Sequence, residues 1–243
     1  MNRAKAQTPQ IPGPVLLSSQ RAYQLWAPHY DSSVNPLLAL EERLLAPLLT
    51  DFAGKDVVDL GCGTGRWLKK LEWLNPRSLT GVDISHAMLE QARMKCGSTT
   101  QLLQRDCLET RLGGRSCDCI LASFLLSYLS HLRGFAQEAA RILRPQGTLF
   151  VTDLHPLTAT YGWRRTFRAG GTVIEVETHH YSLAQLVEGM REAGFLLVQL
   201  AEWQFGADEA AVFERAGKLN SYLRVKSRPV VYWAQFALGQ DGE

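Results

Sequence analysis

Residues 56–65, Asp-Val-Val-Asp-Leu-Gly-Cys-Gly-Thr-Gly, constrain the fold more than any other stretch of the chain. Val57, Val58 and Leu60 make a short apolar run of the kind buried on both faces of a sheet. Gly61, Gly63 and Gly65 follow, and glycines so placed mark a turn where a ligand approaches bare backbone. Asp59 stands two residues ahead of the first glycine. Such a turn at the carboxyl end of a parallel strand is a nucleotide-cofactor site.

Spacing narrows the cofactor. A dinucleotide fingerprint, G-x-G-x-x-G, needs its third glycine at position 66, where this chain has Arg66. The glycines run G-x-G-x-G instead, and the acid Asp59 lies inside the strand, which counts against a nicotinamide oxidoreductase. A second acid, Asp83, ends the apolar run Ser78-Leu-Thr-Gly-Val-Asp, 22 residues beyond Gly61. A carboxylate at that place can accept both hydroxyls of a ribose.

Two more motifs complete an ordered set: Gln104-Arg-Asp-Cys107 after the third expected strand, and Leu143-Arg-Pro-Gln-Gly-Thr-Leu-Phe-Val-Thr-Asp153 leading into the fifth. Over roughly residues 20–203 the chain resembles the class I S-adenosylmethionine (SAM) dependent methyltransferases. The likeness is greatest to the small-molecule branch of ubiquinone and menaquinone biosynthesis enzymes, with a type 11 methyltransferase domain. The resemblance implies that the loop from Gly61 through Cys62 and Gly63 to Gly65 holds the methionine end of SAM and that Asp83 holds the ribose, with Asp59 and Ile84 also at the cofactor. It implies further that Asp106 meets the adenine amine, while Cys107, Ser123, Tyr23 and Tyr30 complete the cofactor site. Gln146, where many relatives have glycine, departs from the pattern only in a turn.

The remaining chain alternates strand and helix signals, so the expected fold is α/β: a Rossmann-like, seven-stranded, mostly parallel sheet with an antiparallel last strand and helices on both faces. Strands are expected near 56–60, 78–83, 101–105, 118–122, 148–153, 195–203 and 229–238, with helices near 36–49, 65–74, 86–95, 132–143 and 183–193. Asn35-Pro36 starts the first of these helices, and Ser182 with Gln185 forms a capping box for the last. Two stretches exceed a minimal fold: a β-hairpin insertion after the fifth strand (155–181, turning at Gly170-Gly171) and an insertion at 206–227, where Asp208 is expected to cap a helix. Both are possible substrate caps.

A chain of 243 residues with 46% apolar side chains can bury one sizeable core, so residues 21–243 are expected to form one domain behind a disordered tail at 1–20. A formal net charge of +2 leaves no electrostatic footprint for nucleic acid. No apolar segment is long enough for a membrane span or signal peptide, so a cytoplasmic protein is expected. The five cysteines read as free thiols, with Cys117 and Cys119 buried in a strand and no cluster of ligands for a metal. Oligomeric state is not readable.

The expected reaction moves the methyl of SAM to a nucleophilic atom of a small-molecule acceptor by in-line displacement, leaving S-adenosylhomocysteine (SAH). A SAM-binding sensor or assembly module without turnover is the alternative, because the fold demands no universal catalytic residue. Tyr23, Trp26 and Tyr30 are candidates to line the methyl pocket, or else to pack a helix on the core. His155, just past the fifth strand, is the first candidate base, followed by His180 or His179 and by Tyr30; each histidine can equally be a structural hydrogen-bonding residue. Arg164, Arg165 and Arg168 can either grip an anionic substrate or lie on a solvated strand face. After the fourth strand the chain reads Ala122-Ser-Phe-Leu125, without the prolines of enzymes that methylate DNA amines, and no cysteine follows a proline as cytosine-carbon methylation requires.

Overall fold

The computed structural model describes residues 13–240, and its elements follow in chain order. The N-terminal part gives β1 (Val15–Leu17), α1 (Ser19–Tyr30), α2 (Pro36–Leu45) and a 3-10 stretch, Ala46–Phe52. The glycine-loop half gives β2 (Asp56–Leu60), α3 (Arg66–Leu71), β3 (Ser78–Asp83), α4 (His86–Lys95), β4 (Thr100–Gln104), β5 (Cys117–Ser123) and α5 (Leu132–Ile142). Then come β6 (Leu143–Leu154), α6 (Leu157–Thr160), β7 (Thr166–Ala169), β8 (Thr172–Val176) and α7 (Leu183–Glu192). The chain closes with β9 (Phe195–Trp203), α8 (Ala207–Arg215), α9 (Leu219–Val225) and β10 (Val231–Leu238).

Seven strands form the main sheet in the order β4-β3-β2-β5-β6-β10-β9, and β10 runs antiparallel to both neighbours. The expected fold class holds. The sheet reverses its winding between β2 and β5, which is where α/β sheets open a crevice for ligands. Alternate residues feed two cores: Val58, Leu60 and Ile120 pack with Phe135, Ile142, Leu186 and Met190 of α5 and α7. Val57 and Leu121 pack on the other face with Phe52, Trp67, Leu68 and Leu89. A register shift in β5 between Cys117 and Cys119 sends these two buried thiols to opposite faces, so they do not form a pair of ligands.

Two expectations need correction. The tail expected over 1–20 gives way at Val15, because Val15–Leu17 adds a parallel strand to the hairpin β7–β8 and makes a second, three-stranded sheet; positions 1–12 lie outside the described residues. α1 then lays Ala22 and Trp26 against Phe167, Ile174 and Val176 of that sheet. The insertion at 206–227 holds two helices rather than one, and Glu209, not Asp208, closes the first by accepting the Gly206 N–H at 2.7 Å. Arg43 of α2 pairs with Glu209 at 2.9 Å and Asp208 at 3.3 Å. Its helices brace α2, and none of its residues lines the main cavity.

Candidate active site

The glycine loop leaves β2 with Gly61, Gly63 and Gly65 all at positive φ. At Gly65 a Cβ would sit 2.9 Å from Cys96 Sγ and 3.1 Å from Ala92 Cβ, so the loop lies flush on α4. Gly63 has open space where its Cβ would be, and its N–H is held by Asp83 Oδ2 at 2.8 Å. Asp83 Oδ1 accepts the Ser85 N–H at 2.8 Å. Both carboxylate oxygens are therefore aimed by backbone donors, and each keeps a lone pair for a further donor.

A cavity of about 290 Å³ opens over this turn. It is lined by Asp59, Gly61, Cys62, Gly63, Asp83, Ile84, Asp106, Cys107 and Ser123, with Tyr23 and Tyr30 of α1 on the opposite wall. Of the residues expected at a cofactor, only Gly65 is absent from the lining; it turns the chain into α3 instead. Asp106 Oδ1 holds its own loop through the Leu108 N–H at 2.9 Å. Burial pushes the thiols of Cys62 and Cys107 upward, so both stay protonated and act as walls.

Asp59 is 1% exposed, and its Oδ1 has no hydrogen-bond partner among the described residues. Burial raises its carboxyl well above the ordinary range; Arg66 pulls it down, while Glu41 and Asp83 push it further up. A buried acceptor left in this state costs about 1–3 kcal/mol, so the site is built for a donor that arrives from outside. Ammonium is the matching chemistry.

Sequence reasoning missed Glu41. It belongs to the leucine-rich face of α2, is fully buried, and gathers the loop's partners. It pairs with Arg66, accepts from Trp67 Nε1 at 3.2 Å and Ser123 Oγ at 2.6 Å, and accepts from Thr152 Oγ1. Arg66 Nη1 stays buried without a hydrogen-bond partner among the described residues. The available signal was Arg66 itself, since an arginine beginning a buried helix needs a carboxylate nearby.

The aromatic segment divides in two. Tyr23 and Tyr30 line the cavity, whereas Trp26 stacks on Phe167 at 4.6 Å with 5° between planes, which is core packing. Tyr23 Oη and Tyr128 Oη share a hydrogen bond of 2.5 Å. Burial raises all three tyrosines, Tyr128 to about 12, so they serve as neutral donors rather than bases near neutral pH.

His155 is misplaced for the role of base. Its N–H is tied to Val230 O, its Nδ1 accepts the Leu157 N–H at 3.2 Å, and its Nε2 faces Glu202 of β9 at 3.0 Å. It lines neither the main cavity nor its neighbour, because the strand pleat points it toward β9 and β10. His180 and His179 lie in a smaller cavity of about 30 Å³, with Asp153, Arg165 and Tyr232. Arg164 pairs with Glu175 at 2.6 Å and Arg168 is exposed, as a solvated strand face requires. Arg165 differs: its side chain is 10% exposed and its guanidinium lies over the Phe124 and Tyr128 rings.

Comparison with known proteins agrees with this geometry. Residues 57–147 match a family model described as a methyltransferase domain. A demethylmenaquinone methyltransferase from Tropheryma whipplei (strain Twist) is 35% identical over 119 residues, 47% of this chain and 48% of that protein. A malonyl-[acyl-carrier protein] O-methyltransferase from Legionella pneumophila is 30% identical over 142 residues, 57% of this chain and 50% of that one. The chain thus spans about half the length of these relatives. The crystal structure of an S-adenosylmethionine dependent methyltransferase from Mesorhizobium loti superposes with a TM-score of 0.67 at 20% identity, covering 84% of this chain and all of that one. Residues 57–147 thus carry a methyltransferase domain, and the chain shares the fold of S-adenosylmethionine-dependent methyltransferases.

Proposed function

We propose that the chain transfers a methyl group from SAM to a small-molecule acceptor and releases SAH. The observation that carries this is the unpartnered Asp59 Oδ1, buried beside the open Gly63 turn and at the same cavity as Asp83. The residues fit the cofactor: Asp59 takes the ammonium of its methionine part, the Gly61–Gly65 backbone lies along that part, Asp83 accepts from the ribose, and Asp106 with Cys107 and Ile84 frames the base. SAM supplies an electrophilic methyl on a sulfonium.

The protein's part is positioning and exclusion of water. Tyr23 and Tyr30 form the wall facing the glycine loop and offer electron-rich faces and neutral hydroxyl oxygens to a cationic reacting group. Orientation of reactants can lower a barrier by about 7–11 kcal/mol, so the fold need not supply a base when the acceptor arrives unprotonated. α1 covers the turn because Thr64 Oγ1 and Lys95 Nζ both hold Asp31 at its carboxyl end, at 2.8 and 2.5 Å. Incubation of the protein with methyl-labelled SAM and a metabolite extract, followed by a mass search for a gain of one methyl, tests this. A labelled product and stoichiometric SAH support transfer; cofactor binding without any product supports the non-catalytic module instead.

A further inference from the structure

The Arg165 side chain makes no hydrogen bond among the described residues, although it is only 10% exposed and its Nε and Nη2 are sealed from solvent. Its guanidinium carbon lies 5.1 Å from the Phe124 ring centre and 5.3 Å from that of Tyr128. Both rings also line the main cavity, so the guanidinium stands directly behind the wall of the proposed methyl-transfer site. On its other side it borders the small cavity with Asp153, His179, His180 and Tyr232.

Asp153 does not satisfy it. The Asp153 carboxylate accepts from Ser127 N at 2.7 Å, Ser127 Oγ at 3.1 Å and Leu154 N at 2.7 Å, and its Oδ1 stays 3.6 Å from Arg165 Nη2. That separation offsets charge without a hydrogen bond. A guanidinium has five donors in a planar fork that matches a carboxylate, and leaving those of Nε and Nη2 buried and unused is costly. Phe124 adds a sign of construction: it carries φ 49°, a left-handed conformation that a bulky residue adopts only when its surroundings enforce it. The strained turn places its ring beneath the arginine.

We propose that Arg165 is the anchor for a carboxylate of the methyl acceptor, received in the small cavity behind Phe124 and Tyr128, which makes the acceptor a small organic acid. This rests on the methyltransferase assignment above. The cavity, about 30 Å³, is edged by the polar side chains of Ser127, Thr158 and Tyr232 beside the arginine. Phe124 and Tyr128 both line the main cavity and flank the guanidinium, so the anchor for the acid end and the site of the reacting atom meet at these two rings.

The test uses the full chain with saturating SAH, benzoate as the probe and its neutral isostere benzamide as control, at matched ionic strength, read as thermal stabilisation and as a dissociation constant. Benzoate is expected to stabilise the protein in a saturable way and benzamide much less. Arg165→Gln abolishes that difference, and Arg165→Lys, which keeps charge but loses the fork, weakens benzoate by about tenfold or more. Asp153→Asn removes the competing carboxylate and strengthens benzoate. Equal responses to benzoate and benzamide, no response to either, or full benzoate affinity in Arg165→Gln or Arg165→Lys overturns the assignment; if the glutamine variant does not fold, the lysine variant decides. SAH binding by the wild type is measured separately, and its absence refutes the methyltransferase assignment whatever benzoate does.

Discussion

The Gly63 N–H donates to Asp83 Oδ2 across 2.8 Å, so the turn proposed to receive the methionine part and the acid proposed to receive the ribose form one unit. The contact bridges the ends of two neighbouring parallel strands, β2 and β3. Removing the carboxylate frees the turn as well as deleting a ligand contact. Asp83→Ala is expected to weaken SAH by roughly tenfold to a hundredfold, the value of one or two hydrogen bonds to a charged group, and Asp83→Asn by less. Calorimetry on the two variants checks the order.

Asp59 sets affinity against stability. Its carboxyl is raised by burial, so the native state holds a proton that the unfolded state has released above the ordinary carboxylate pKa of about 4. Unfolding then releases a proton, and the ligand-free protein loses stability as pH rises from about 4 toward the native pKa of Asp59. Asp59→Asn is expected to remove this slope and to raise ligand-free stability by about 1 kcal/mol or more at neutral pH, while SAH affinity falls. Denaturant titrations across pH, on both proteins, measure the slope.

Glu41 neutralises Arg66 in the core. Glu41→Ala leaves that guanidinium buried beside an empty space, with Trp67, Ser123 and Thr152 deprived of their acceptor. A loss of about 3–5 kcal/mol is expected. Chemical denaturation is the measurement, and an unchanged midpoint contradicts the role given to Glu41.

Gln146 turns at φ 65° between α5 and the sheet portion of β6. Glycine enters that region without the Cβ penalty. Gln146→Gly is expected to add about 0.5–1 kcal/mol, a rise of roughly 1–4 °C in melting temperature for a domain of this size. Scanning calorimetry checks it.

The sheet and cofactor wall were legible because they rest on local rules: glycines where backbone needs positive φ, an acid at each strand end, and apolar runs of strand length. Asp59, Asp83 and the loop therefore stand where their spacing implied. What failed depends on contacts distant in sequence. Val15–Leu17 is a strand only because Ile174–Val176 lies alongside it. Glu41 is held by residues 66, 123 and 152, and a periodic apolar face gives no warning of it. His155 was placed correctly along the chain, but the pleat that turns it from the cavity is fixed by β10. Arg165 reads as one of three hairpin arginines until the fold carries it against Phe124.

The most direct measurement is a calorimetric titration of SAH into the wild-type protein and Asp59→Asn. A cofactor cradle predicts saturable binding at one site per chain, weakened in the variant. No heat of binding at high micromolar SAH, or equal affinity in both proteins, contradicts it.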